Sequence, residues 1–377
     1  MKITDVVALQ MRVREVEDVF DGTQDVLIVE VRTDDGLSGF GEVVSSSYVA
    51  RAAILAPRSG GGRHGLAEIV RGMDPTDTQA VWQAMYEGTA WYGRRGLAIH
   101  AMAGVDVALW DLKAKAAGKP LYRMLNGSAR SRKIQAYASV LWGNTLAETE
   151  ALAREFREAG FDAVKFGFGP IGTSTAGDVR MVQAARNALG DSAALLVDVG
   201  RRWNVGRSLE AATAFVPYRV GWIEEPLHPD DLEGYARLTA ASPIPIAGGE
   251  TEETVAQFRA YLDAGLKVIQ PDVGRVGLSQ ALEISELAKH YGAKCVPHCF
   301  GSGVNTTAAI HWMAATGGDL VEYPRRMNAL CRELAIGVPP IVDGFVSPGE
   351  APGLGIELNK LVARHYEYLG ARPTALV

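Results

Sequence analysis

Ala194–Gly200 reads ALLVDVG, a short apolar run that closes on one acid, Asp198. Such a run fits a buried strand with a charged group at its carboxyl end. The design recurs downstream as GWIEEPL (Gly221–Leu227), IPIAGGE (Ile244–Glu250), LKVIQPDV (Leu266–Val273), AKCVPHCF (Ala293–Phe300) and DLVEYP (Asp319–Pro324). Upstream, KIQAYASV (Lys133–Val140) and DAVKFGFG (Asp162–Gly169) complete eight strands separated by amphipathic helical segments. Strands alternating with helices predict a parallel sheet, and eight such units predict a (β/α)8-type barrel. A doubly wound open sheet is disfavoured, since no Gly-x-Gly-x-x-Gly follows a first strand and Gly39 and Gly41 of SGFGEVV stand alone.

The last polar residues of six successive strands are Asp198, Glu224, Glu250, Asp272, His298 and Glu322, separated by 26, 26, 22, 26 and 24 residues. One per unit at the carboxyl end is the placement of a barrel active site. Asp198, Glu224 and Glu250 on consecutive strands suit a hard divalent cation, with Mg²⁺ fitting best; zinc would call for histidine or thiolate. Asp272 and His298 fall on neighbouring strands, where a carboxylate accepting from one imidazole nitrogen sets the tautomer and raises the basicity of the other. Alternation turns Val197, Val199, Cys295, Pro297 and Cys299 outward toward the helices and points Glu225 away from Glu224. Lys165, in the apolar strand DAVKFGFG, is a core residue, an ion-pair partner or chemistry, because a buried ammonium costs several kcal/mol unless paired.

The flanks read differently. MKITDVVALQMRV, DVLIVEVRT and LSGFGEVV alternate as strands of an antiparallel sheet, the last two joined at Asp34-Asp35-Gly36. From about Thr76 to Leu125 the period becomes helical, ending at Gly118 and Pro120. Between them, Ala56–Gly65 (APRSGGGRHG) reads as a surface loop and a candidate lid. After Pro324 the pattern decays into Pro/Gly-rich chain until LNKLVARHYEYL.

The 377 residues are 47% hydrophobic and 22% charged, with a formal net charge of −6. Interspersed charges disfavour nucleic acid or an anionic membrane as the main partner and point to a small molecule. No signal peptide or membrane-length apolar run is read, and three cysteines without a CxxC pair make the cytoplasm the expected compartment.

VALWDLKAKAAGKPLYRMLNG (Val107–Gly127), LLVDVG, WIEEPL, IAGGE, IQPDVGRVGL and VPHCFGSG together resemble the mandelate racemase group of the enolase superfamily (mandelate racemase/muconate lactonizing enzyme-like) over nearly the whole chain. The resemblance implies a modified TIM barrel, (β/α)7β, at 129–335, with an α+β capping domain formed by residues 1–128 and the returning segment 336–377. It implies Mg²⁺ held by Asp198, Glu224 and Glu250, binding a substrate carboxylate and stabilising the enediolate formed on loss of the α-proton. Asp272–His298 becomes the acid–base dyad and Glu322 a protonated hydrogen-bond donor to that carboxylate. Many group members carry Lys-x-Lys at the end of strand two; here the residues are Lys165, Phe166 and Gly167. With one lysine missing, racemisation loses its second base, and syn dehydration of a sugar acid by His298 is the expected reaction. An epimerase of the same superfamily and a Schiff-base aldolase using Lys165 are the alternatives. Substrate contacts are expected from Lys165, from Arg201, Arg202 and Trp203, and from Phe20 and Tyr48 of the cap; a homo-oligomer is the expected assembly.

Overall fold

The structure is a computed structural model that describes residues 1–16, 24–130 and 132–368. Its first unit is an antiparallel sheet of β1 (Ile3–Arg12), β2 (Asp25–Thr33) and β3 (Ser38–Val43), followed by helices α1 (Ser47–Leu55), α2 (Leu66–Val70), α3 (Thr78–Gly88), α4 (Leu97–Ala116) and α5 (Leu121–Leu125). Gly39 and Gly41, isolated in the sequence, find their reason here. A Cβ on Gly41 would lie 2.1 Å from the Gly104 carbonyl oxygen, and one on Gly39 2.0 Å from that of Ala108. Only bare backbone lets α4 settle this close to β3.

The eight expected strands all form: β4 (Ile134–Leu141), β5 (Ala163–Gly167), β6 (Ala194–Asp198), β7 (Val220–Glu224), β8 (Ile246–Gly248), β9 (Val268–Ile269), β10 (Lys294–Cys295) and β11 (Leu320–Pro324). They pair in parallel in the order β10-β9-β8-β7-β6-β5-β4-β11, a curled sheet with a seam between β10 and β11 where no ladder runs among the described residues. The crossover helices are α6 (Leu146–Glu158), α7 (Thr175–Leu189), α8 (Val205–Phe215), α9 (Leu232–Ala241), α10 (Val255–Asp263), α11 (Val273–Tyr291) and α12 (Gly303–Thr316). Each starts on a capping side chain, in turn Thr145, Ser174, Asn204, Asp231, Thr254, Asp272 and Ser302, that accepts a first-turn backbone N–H.

Past β11 the chain forms α13 (Ala329–Glu333), β12 (Ala335–Ile336), β13 (Phe345–Val346), β14 (Glu357–Leu358) and α14 (Lys360–Tyr366). β13 pairs antiparallel with β4, and Met11 of β1 bridges Glu367, so the tail returns to the first sheet. This is the modified barrel with an α+β capping domain that the family resemblance implies. Among the described residues no helix is long and apolar enough to cross a membrane.

Period-two alternation gives the barrel an apolar floor with one residue from each strand or its extension: Tyr137, Ala163, Leu196, Trp222, Ala247, Val268, Val296 and Leu320. The outward residues, including Val197, Val199 and Cys299, belong to the larger core beneath the helices. Gly41→Ala is expected to lower unfolding free energy by about 1–3 kcal/mol through overpacking against α4, read as a lower urea midpoint at unchanged slope.

Candidate active site

Two residues beyond the floor, the same inward positions are almost all polar: Ser139, Lys165, Asp198, Glu224, Gln270, His298 and Glu322. β8 is the exception, because Ala247 plus two is Gly249. Its φ of +120° and its backbone packing, where a Cβ would meet Phe258 at 2.6 Å, turn the chain so that the next residue, Glu250, enters the ring instead. One oxygen each from Asp198, Glu224 and Glu250 lies within 4.8 Å of the others. Three hard oxygen donors so disposed, two of them fully buried, fit a divalent cation such as Mg²⁺.

Lys165 is 3% exposed and pairs with Glu224 Oε1 at 2.5 Å and Glu322 Oε1 at 2.8 Å. Burial works against its charge, but Glu224 and Glu322, then Tyr137 and Asp198, hold its pKa well above the usual lysine value. Glu224 Oε2 accepts from Trp222 Nε1 (2.9 Å) and Gln270 Nε2 (2.7 Å), fixing the carboxylate from below. Burial and then Glu224 push the Asp198 carboxyl well above its ordinary range. Cys299 N–H donates to Glu322 Oε2 at 2.6 Å. Glu322 Oε1 faces Lys165 as an ion-pair neighbour and has no hydrogen bond among the described residues.

Across the mouth, His298 Nδ1 meets Asp272 Oδ2 at 2.6 Å, while its Nε2 lies 3.4 Å from Glu250 Oε2. Asp272 Oδ1 accepts from Gly274 N–H (2.7 Å) and Asn305 Nδ2 (3.1 Å). Burial alone would raise Asp272, yet the His298 hydrogen bond and charge bring it below the ordinary carboxylate value. Burial would likewise lower His298, but Glu250, the Asp272 hydrogen bond and Glu322 carry it up to about 9.

Lys165, Asp198, Glu250, His298 and Glu322 line a cavity of about 250 Å³ with Ser139, Gly167, Arg201, Thr251 and Arg275. Arg201 lies in it as expected, also approaching Glu225 at 3.9 Å. Arg202 does not: it donates to the carbonyls of Gly169 and Ile171, pinning the loop after β5. Trp203 packs into the helix layer beside Phe215 and Arg207. Arg201 has φ +65°, so the strand's alternation is broken before residues 202 and 203 and no longer predicts their directions. Tyr48, on α1, is 60% exposed and does not line the cavity. Residues 56–65 do not line it either; they close between α1 and α2 by a Gly65 N–H to Ala56 O bond. Phe20 lies outside the described residues. Sequence reasoning missed Ser139, Gln270 and Arg275; the first two were accessible from the alternation, each two residues past a floor residue.

Residues 148–362 match the enolase C-terminal domain-like family, and residues 9–126 match the mandelate racemase/muconate lactonizing enzyme N-terminal domain. The chain is 32% identical over 350 residues to D-galactarolactone cycloisomerase of Agrobacterium fabrum, covering 89% of each. It is 29% identical over 360 residues to D-galactonate dehydratase of Ralstonia nicotianae, again over 89% of each. The crystal structure of 3,6-anhydro-D-galactonate cycloisomerase from Zobellia galactanivorans superposes with a TM-score of 0.88 at 27% identity, over 98% of this chain and 100% of that one. With both domains matched end to end and the acidic ring at the barrel mouth, the chain belongs to the mandelate racemase/muconate lactonizing enzyme group of the enolase superfamily.

Proposed function

We propose that the protein is an acid-sugar dehydratase, removing the proton α to a carboxylate and the β-hydroxyl to give a 2-keto-3-deoxy acid. The observation that carries this reading is the asymmetry of the mouth. One wall holds an imidazole seated on a carboxylate; the other holds a lysine locked between two glutamates. An ammonium so paired is an electrostatic donor to a substrate anion and a poor base.

A divalent cation at Asp198, Glu224 and Glu250, with Mg²⁺ the ion we favour, would supply positive charge to the substrate carboxylate as the α-proton leaves. In its neutral form, with the proton on Nδ1 toward Asp272, His298 takes the α-proton at Nε2, and Asp272 stabilises the imidazolium that forms. The C–O bond to the β-hydroxyl breaks, the imidazolium returns its proton to that oxygen as water leaves, and the enol tautomerises to the keto acid. One residue on one face suffices. Epimerisation would need a second base on the opposite face, where Gly167 stands. Arg201 and Ser139 are placed to contact substrate hydroxyls. The likeness to the Agrobacterium cycloisomerase favours a second reading, in which the leaving group is the ring oxygen of a sugar lactone; lactones belong in the same substrate screen.

Chelation should abolish formation of 2-keto-3-deoxy acid in a screen of acid sugars, with Mg²⁺ restoring it, and His298→Asn should lower kcat by about 10²–10⁴-fold. Full turnover in chelator or in the His298 variant would defeat the reading, and solvent deuterium entering at the α-carbon without dehydration would identify an epimerase. Gln270→Leu, which leaves Glu224 Oε2 held by Trp222 alone, should weaken Mg²⁺ binding by about 10–100-fold in calorimetry. Lys165→Met leaves buried carboxylates unpaired, so the chelated protein should lose about 3–5 kcal/mol of unfolding free energy.

A further inference from the structure

The dyad sits where the sheet gives least support. The ladder of β10 covers Lys294 and Cys295 alone, against β9, and no ladder reaches β11 among the described residues. His298 lies three residues past this ladder, held by its own N–H to Pro271 O (3.2 Å) and by the neighbouring Cys299 N–H to Glu322. Beyond it the chain turns through Gly301 into α12, and there a carboxylate arrives from the other domain.

Glu42, the fifth residue of β3, is buried against that turn. Its Oε1 accepts from Ser302 N–H at 2.9 Å; its Oε2 accepts from Ser302 Oγ–H at 2.6 Å and from Asn305 N–H at 3.0 Å. The approach is close enough that a Cβ on Gly301 would lie 2.9 Å from Oε1. Asn305, held at its backbone by Glu42, directs its side-chain amide onto Asp272, the carboxylate that seats His298. Two residues on from Glu42, Val44 donates its N–H to Gly274 O at 3.0 Å, and a Cβ on Gly274 would meet its side chain at 2.5 Å. The end of β3 thus grips both segments that carry the dyad. Ser302 Oγ caps α12 by accepting from Val304 N–H, and Glu42 takes the next first-turn donor, Asn305 N–H, so it fixes the residue whose amide reaches Asp272.

We propose that Glu42 is a positioning residue for the Asp272–His298 dyad: from the capping domain it seats Asn305 against Asp272, making alignment of the imidazole conditional on the cap being docked on the barrel. The proposal rests on the reading of His298 as the acid–base group. A small displacement of a reacting group costs large factors in rate, so the effect belongs in kcat.

The test uses the full chain with Mg²⁺. Glu42→Gln keeps the shape and removes the charge; we expect kcat to fall by about tenfold or more, with KM and calorimetric Mg²⁺ affinity unchanged within about twofold. In ¹⁵N-histidine-labelled protein, the His298 Nδ1–H proton resonance should move upfield as its bond to Asp272 loosens. Asn305→Ala, which leaves the Glu42–Ser302 contacts in place, should shift the same resonance and lower kcat, and the double variant should be no worse than the more severe single one. An unmoved resonance with unchanged kcat, additive losses in the double variant, or Mg²⁺ affinity falling in step with kcat would each overturn the proposal. Should the unsubstituted protein dehydrate no acid sugar, the reaction reading fails, while the resonance still reports whether Glu42 orients His298.

Discussion

Five carboxylates crowd the carboxyl end of the barrel, Asp198, Glu250 and Glu322 lining the cavity and Glu224 and Asp272 buried beside it, and the architecture around them is organised by the need to hold them there. Like charges at such separations, away from water, repel by several kcal/mol unless cations intervene. Lys165 is the intrinsic remedy. Lying on β5, it reaches Glu224 on β7 and Glu322 on β11, each two strands away on opposite sides, so one ammonium ties a wide arc of the barrel. His298 plays the corresponding part for Asp272 and Glu250 on the far side. Two cationic side chains do not balance five acids, and the oxygens of three of them, Asp198, Glu224 and Glu250, converge. A site with that surplus is built for a cation, and the buried pairs on either side keep the acids from turning elsewhere.

The same alternation that makes a barrel also makes the site. An inward apolar layer closes the bottom and excludes water; the next inward layer is polar and collects the chemistry. The two layers differ by two residues on every strand but β8, where Gly249 resets the phase and delivers Glu250. Asp272 shows a further economy: it is N-cap of α11 and partner of the imidazole at once, so the helix start and the dyad share one carboxylate.

This explains which parts could be read in advance. Asp198, Glu224, Asp272, His298 and Glu322 end apolar runs, and local alternation alone directs them inward. Lys165 stood out because a charge in an apolar strand demands a partner. Alternation stops predicting where φ turns positive, which is why Arg201 was placed and Arg202 and Trp203 were not. Tyr48 failed for a different reason: proximity of cap residues to the mouth depends on how two domains dock, and no local pattern encodes that. Glu42 was invisible on the same grounds, since its partners lie 260 and 263 positions along the chain. Gly39 and Gly41 match no local motif; their meaning is the depth at which α4 beds against β3.

The glycine that replaces the expected second lysine carries more than an absence. A Cβ on Gly167 would stand 3.1 Å from Asp198 Oδ2, tighter than ordinary contact. Any side chain there would press the acid that lies in the cation cluster, and Asp198 would have to give by a few tenths of an ångström to admit it. Asp198 has little room to give, because its other oxygen accepts Gly200 N–H at 2.9 Å. A second base at this position is therefore coupled to the cluster: admitting it asks Asp198 to shift by a few tenths of an ångström against its hold on Gly200. The identity of residue 167 is in this sense tied to how β5 and β6 are packed together, because the space beside Asp198 is set by both strands.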